Sequence, residues 1–144
     1  MRFYREICLF AVTASVLVSV VANADFVVIA KSSSSMSTIS RTNLRDIFLG
    51  NKTFLEDGKR VFAVRPSDEK LNASFLESIV GINKEEFETH WRRRLFSGKA
   101  IPPKRFENVK QLIDYVADEP NAIGFVDDKE LAGATKIKTV KITD

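Results

Sequence analysis

Between Arg60 and Phe75 the chain reads RVFAVRPSDEKLNASF, and a strand, a break and a helix can be told apart within it. The apolar run Val61-Phe62-Ala63-Val64 has strand character and delivers Arg65 to the strand's end. Pro66 stops the strand, because it has no N–H to give to a sheet ladder. Ser67 or Asp68 can then cap a helix with Glu69 in its first turn, and Leu71, Phe75, Leu76 and Ile79 recur near helical spacing. An arginine and several backbone N–H groups meet where that helix starts, which suits an oxyanion.

Upstream, Arg2 and Arg5 precede an apolar run, Ile7 to Val21, and Ala22-Asn23-Ala24 supplies small residues at A-x-A spacing. That is the pattern of a cleaved secretory signal over residues 1–24, and it implies an exported destination. As a helix the run reaches only about 22 Å against a hydrocarbon core of roughly 30 Å, so an uncleaved anchor is the disfavoured alternative and the mature chain has no membrane span. Cys8 lies early in that run, which argues against a lipid anchor, and no cysteine remains from Asp25 onward. An exported chain without disulfides must rely on one core, and residues 25–144 are enough for one domain.

Lys and Arg number 22 and Asp and Glu 19; without Arg2, Arg5 and Glu6 the balance is 20 against 18. So mild a charge does not argue for nucleic acid and is compatible with a small anion. No cofactor is called for. His90 is the only histidine and has no second histidine or cysteine at ligand spacing, so a metal site is not expected. Neither a Ser-His-Asp nor a Cys-His arrangement can be assembled, and the protein is read as no enzyme.

In order, Phe26–Ala30 is an apolar strand covered on both faces, and Lys31 to Ser40 has loop composition. A helix begins near Ser40 with Leu44, Ile47 and Phe48 inward and Gly50 as its stop. Asp57-Gly58 turns the chain into the Arg60–Arg65 strand. The second helix ends at Gly81, and Asn83 with Glu86 forms a capping box for a third, with Phe87, Trp91 and Leu95 on one face. Pro102-Pro103 forces an extended connection, and Asn108 caps a fourth helix with Val109, Leu112, Ile113 and Val116 inward. Ala122–Val126 is a buried strand whose Gly124 marks a close approach. Asp127 to Ala134 is a short helix or loop, and Thr135 to Ile142 is an edge strand. Alternating strands and helices make an α/β domain.

Several segments together resemble one family. Asn43-Leu44-Arg45-Asp46-Ile47-Phe48-Leu49-Gly50-Asn51-Lys52 followed by Asp57-Gly58 is similar to the L-x-D-I-[FY]-L-G-K…W-x-D-G stretch of phosphate ABC transporter substrate-binding proteins. Val64-Arg65-Pro66-Ser67-Asp68 with Ser74-Phe75 resembles their V-x-R-x-x-D…S-F stretch, and Pro120 to Val126 resembles P-G-A-I-G-[YF]-V. Phe96-Ser97-Gly98-Lys99 with Pro102-Pro103 looks like the short, single-lobe members. The resemblance implies a single lobe of a type II periplasmic binding protein: a central mixed sheet, flanking helices and a ligand edge at strand ends. It implies phosphate or a similar oxyanion as the ligand of a protein that full-length members build from two lobes. The family's glycine- and hydroxyl-rich loop is replaced here by Glu69-Lys70-Leu71-Asn72-Ala73, and Phe54 stands where a tryptophan is frequent.

The candidate ligand residues are therefore Arg65, Ser67 and Asp68, the serine run at Ser33, Ser34 and Ser35, and Ser97 with Lys99. Each has a second reading. Arg65 can instead pair with Asp68 or the next helix, and Asp68 can be a simple cap. The serine run is also an ordinary flexible loop, and Ser97 to Lys99 a helix end with a glycine stop. Arg92-Arg93-Arg94 reads as a solvated helix face, or else as a docking patch for an envelope protein or a second copy. A shared rim for Arg65 and the serine run is the expectation on which an oxyanion site rests.

Overall fold

The computed structural model describes residues 26–98 and 100–144; the leader assigned to residues 1–24, and Lys99, lie outside the described residues. In chain order the strands are β1 (Phe26–Lys31), β2 (Thr38–Ser40), β3 (Phe62–Pro66), β4 (Lys104–Phe106), β5 (Ala122–Asp127), β6 (Ile137–Thr139) and β7 (Lys141–Thr143). The helices are α1 (Arg41–Phe48), α2 (Glu69–Phe75), α3 (Lys84–Phe96) and α4 (Val109–Asp118). Five strands form a central mixed sheet in the order β4-β3-β5-β1-β6, and β2 pairs with β7 in a small parallel ribbon beside it.

Four side chains start the helices, each satisfying an N–H that the helix itself leaves unpaired. Ser40 Oγ accepts from the Asn43 N–H at 3.1 Å, Asp68 Oδ1 from Leu71 at 2.9 Å and Asn108 Oδ1 from Gln111 at 3.3 Å. Asn83 and Glu86 form the reciprocal capping box at the start of α3. After α2 the chain winds on as a π-helical turn, Leu76–Val80, and stops at Gly81, whose φ of +79° is left-handed.

The sheet is covered on both faces. α1, α2 with its π turn, and α3 pack one face around Phe48, Phe75 and Phe125, and the rings of Phe75 and Phe125 stack at 3.9 Å. α4 covers the other face, setting Leu112 and Val116 against Ile29, Val64 and Val126. Burying one such side chain contributes about 1.5–3 kcal/mol, so this two-sided core holds the fold without a cross-link. Gly124 is the expected close approach: a Cβ there would stand 2.5 Å from Val64 Cγ2 and 3.1 Å from the Val64 carbonyl oxygen.

The structure departs from the sequence reading at four places. Pro66 is the last residue of β3 rather than the break after it, opposite Phe106 on the edge strand β4. The Thr135–Ile142 segment is two strands, because Val140 is buried and turns the chain from β6 on the main sheet to β7 on the ribbon. The strands β2 and β4, three residues each, fall in segments read as loop or connection. Leu95 is exposed although its spacing continues that of Phe87 and Trp91, since α3 runs one turn beyond the core it covers.

Candidate functional site

Arg65 stands at the end of β3, half-buried, with its side chain turned toward α3. Its guanidinium carbon lies 5.6 Å from the centre of the Phe87 ring. Nη1 donates to Asn72 Oδ1 at 3.4 Å, and Nε is buried without a hydrogen-bond partner. Asn72 is itself buried in α2 and donates through Nδ2 to the carbonyl oxygens of Pro66 and Asp68, at 2.7 and 2.6 Å. Its carboxamide fixes the strand-to-helix corner and offers Arg65 one long hydrogen bond. Asp68 spends an oxygen on the α2 cap, and Ser67 Oγ donates to the Glu107 carbonyl at 3.3 Å. Among the described residues Arg65 has no carboxylate partner within ion-pair distance; its contacts are with the next helices, not with Asp68.

The charges around it alternate. Arg105 lies opposite Arg65 in the β3–β4 register, 3.8 Å from Glu69 and 3.1 Å from Glu107. Lys84 holds Glu69 at 2.8 Å. Burial is the main cause pushing the Arg65 pKa down and the charge of Arg105 the next, with Glu69 and Glu88 acting the other way. The Lys84 hydrogen bond lowers the Glu69 pKa and raises that of Lys84. A half-desolvated cation beside a second cation gains from an anion, and Glu69 is the resident competitor for that role. Beside Arg65 opens a cleft of about 320 Å³, lined by Phe87, Glu88, Trp91, Arg92 and Leu95 among others.

The serine run is elsewhere. β1 is antiparallel to β5, whereas β3 is parallel to it, and Ala30 and Ala63 both stand opposite Ile123. From that level β3 runs on toward Arg65 and β1 runs the other way toward Ser33, Ser34 and Ser35. Counting residues, Arg65 and Ser32 are already roughly 13 Å apart along the strands. The expected shared rim is therefore corrected: Arg65 and the serine run leave the sheet at opposite ends. Ser34 Oγ accepts from the Met36 N–H at 3.2 Å, and Lys138 Nζ reaches the Ser34 carbonyl at 2.5 Å, so the loop is tied to its own surroundings. Ser33 and Ser35 are exposed. Ser35 borders a separate cavity of about 370 Å³ that also takes in Lys52, Asn43 and Glu56.

Ser97 is also apart. Ten residues of helix separate it from Phe87, about 15 Å along α3, and its hydroxyl donates to the Arg94 carbonyl at 2.8 Å. Lys99, its proposed companion, lies outside the described residues. Of the sequence candidates, then, Arg65, Ser67 and Asp68 stand together. Asn72, Arg105 and Lys84 join them unannounced. The signal for Asn72 was a poor helix former placed between Leu71 and Phe75, both apolar and inward.

His90 Nε2 lies 2.7 Å from the Leu49 carbonyl oxygen, which can only accept, so that nitrogen carries its proton. Among the described residues no group of three or more His, Cys, Asp or Glu side chains could hold a metal ion, and no helix is long and apolar enough to cross a membrane.

No protein-family model matches the sequence, and no curated protein matches it. Solved structures do match the fold. A protein from Clostridium perfringens described as a phosphate ABC transporter substrate-binding protein, with phosphate bound, superposes with a TM-score of 0.61 at 16% identity, over 82% of this chain and 44% of that one. An ABC-type phosphate transport receptor from Vibrio cholerae gives 0.57 at 13% identity, over 83% and 47%. PstS from Borrelia burgdorferi gives 0.61 at 11% identity, over the same shares. The chain spans less than half the length of these proteins, and what it shares with them is the α/β fold of a mixed sheet flanked by helices.

Proposed function

We propose that the protein is an exported, non-catalytic binding lobe that takes phosphate or a similar oxyanion at the Arg65 rim. The observation that carries this reading is the state of Arg65: half-buried at a strand end, long in its one side-chain hydrogen bond, with a second cation beside it and α2 beginning at Glu69. The likeness in fold to a protein with bound phosphate supports the choice of ligand. Arg65 supplies the charge and Ser67 a hydroxyl that turns from the Glu107 carbonyl to the anion, while Asp68 and Asn72 hold the corner. The serine run, at the opposite end of the sheet, takes no part, so the proposal drops the shared rim and rests on the Arg65 corner alone.

The affinity is weak by arithmetic. Three charge-assisted hydrogen bonds at about 1.5–3 kcal/mol each must offset an association cost of at least about 4 kcal/mol. The isolated protein therefore binds phosphate in the millimolar range. Export to the periplasm belongs to the same proposal and rests on the Arg2–Ala24 pattern. The test is a set of thermal melts with phosphate, sulfate and chloride at matched ionic strength, on the native protein, Arg65→Ala and Arg65→Lys. Stabilisation by phosphate, absent in Arg65→Ala, supports the reading; equal effects of the three anions oppose it.

A second reading has one observation in its favour. The chain spans less than half the length of the solved structures it resembles, and the described residues form a single lobe. A second copy or an envelope protein would cover the Arg65 rim, and light scattering of the purified protein with and without phosphate distinguishes a dimer from a monomer.

A further inference from the structure

We propose that the end of α3 and the segment after it form a docking surface for an anionic lipid bilayer. In sequence, Trp91 to Phe106 carries Arg92, Arg93, Arg94, Lys99, Lys104 and Arg105 and no aspartate or glutamate, although the whole chain has a formal net charge of only +3. Within this span lie the three large apolar side chains Leu95, Phe96 and Ile101, at 54%, 89% and 71% exposure. An exposed leucine alone is ordinary; three large side chains within seven residues, at one tip, are a patch.

The helix period puts one cation and two of the apolar side chains on the same side. Arg92, Leu95 and Phe96 stand at i, i+3 and i+4 on α3 and so share a stripe. Leu95 and Arg92 face Pro102 and Pro103 across the cleft beside Arg65, which brings the segment carrying Ile101 alongside the helix end. Arg92, Arg93 and Lys104 are exposed and make no ion pair among the described residues, although Lys104 lies over the Phe106 and Tyr115 rings at 5.0 and 4.8 Å and Arg93 borders a hollow with Glu85 and Glu86. Arg94 and Arg105 are engaged elsewhere, on the Gly50 carbonyl and on Glu69 with Glu107.

Protruding apolar side chains ringed by unpaired cations match an interface that offers anionic headgroups above hydrocarbon. An acidic protein surface would satisfy the cations, but it would have to provide a pocket for a phenylalanine that projects almost entirely into solvent. The bilayer needs no such pocket. The contact is peripheral: the side chains enter the headgroup boundary and nothing spans.

The test is co-sedimentation of the exported full-length product with vesicles of phosphatidylcholine, with and without phosphatidylglycerol. Binding to the phosphatidylglycerol vesicles exceeds binding to pure phosphatidylcholine, and added salt weakens it. Each exposed cation near an anionic surface is worth about fivefold, so Arg92→Gln, Arg93→Gln and Lys104→Gln combined lower the affinity roughly a hundredfold. Leu95→Ser, Phe96→Ser and Ile101→Ser combined lower it by about tenfold or more, with an unchanged melting temperature because all three are exposed. Inorganic phosphate at matched ionic strength displaces no more protein than chloride does. Equal binding to both vesicle types, binding that ignores both sets of substitutions, or displacement specific to phosphate would each overturn the proposal. So would self-association abolished by the serine variants without vesicle binding, which assigns the patch to a second copy instead.

Discussion

Asn72 Oδ1 accepts from Arg65 Nη1 at 3.4 Å while the same carboxamide donates to the carbonyls of Pro66 and Asp68 at 2.7 and 2.6 Å. One buried side chain thus ties the end of β3, the start of α2 and the candidate anion ligand together. The long Arg65 contact and the two short backbone contacts differ in kind. The short ones hold the corner; the long one leaves the guanidinium available.

Asn72→Ala removes both functions. It takes the side-chain donor from the buried Pro66 carbonyl, while the Asp68 carbonyl keeps the backbone N–H of residue 72 at 3.0 Å, and the cost is about 1–3 kcal/mol of stability, read from urea unfolding. Phosphate-dependent stabilisation falls as well, because Arg65 loses the group that orients it.

Glu69 competes with an incoming anion for Arg105 and Lys84. Glu69→Gln removes one carboxylate charge from each cation, leaving Arg105 on Glu107 and Lys84 near Glu88, and exposed pairs of this kind contribute little to stability. Phosphate affinity therefore rises by roughly two- to fivefold in a calorimetric or spectral titration. Unchanged or weaker binding would mean that these cations do not belong to the site.

The opposite rims yield a negative expectation. Changing Ser33, Ser34 and Ser35 together to alanine leaves the phosphate response of the native protein intact, measured in the same melts. Loss of the response would place the ligand at the wrong end of the sheet for this account.

Acid lowers stability with a sign that follows from the ion pairs. The pKa values of Glu56, Asp57, Glu69 and Asp127 are lowered in the folded chain, chiefly by hydrogen bonds from Lys52, Lys59, Lys84 and Lys129 respectively, through the backbone N–H for Asp57 and Asp127. Lowered values mean that the unfolded chain binds more protons, so this stability is complete above the ordinary carboxylate range near 4 and is lost as the pH falls through and below it. Glu56, Asp57 and Glu69 are exposed and Asp127 is partly so, and the melting temperature drifts down gradually rather than collapsing.

What could be read from residues alone was local. Ser40, Asp68, Asn83 and Asn108 announce helix starts because a cap is a contact between residues three apart. Gly124 announces a close approach because only glycine fits beneath Val64. Strand direction has no such local signature: Phe26–Ala30 and Val61–Val64 are both short apolar runs followed by polar residues, and nothing in either says that they run in opposite senses. The mistaken union of Arg65 with the serine run came from that gap. β2, β4 and β7 are three residues each and owe their form to a partner strand, which composition does not reveal. Leu95 continues a period that the core no longer needs.

The most direct test of the Arg65 rim is a phosphate titration followed by backbone amide shifts in a nitrogen–proton correlation spectrum, at constant ionic strength. The account predicts saturable shifts over Arg65 to Leu71 and at Arg105, with a millimolar dissociation constant, lost in Arg65→Ala. Shifts centred on Ser33 to Ser35, or none at any residue, would contradict it.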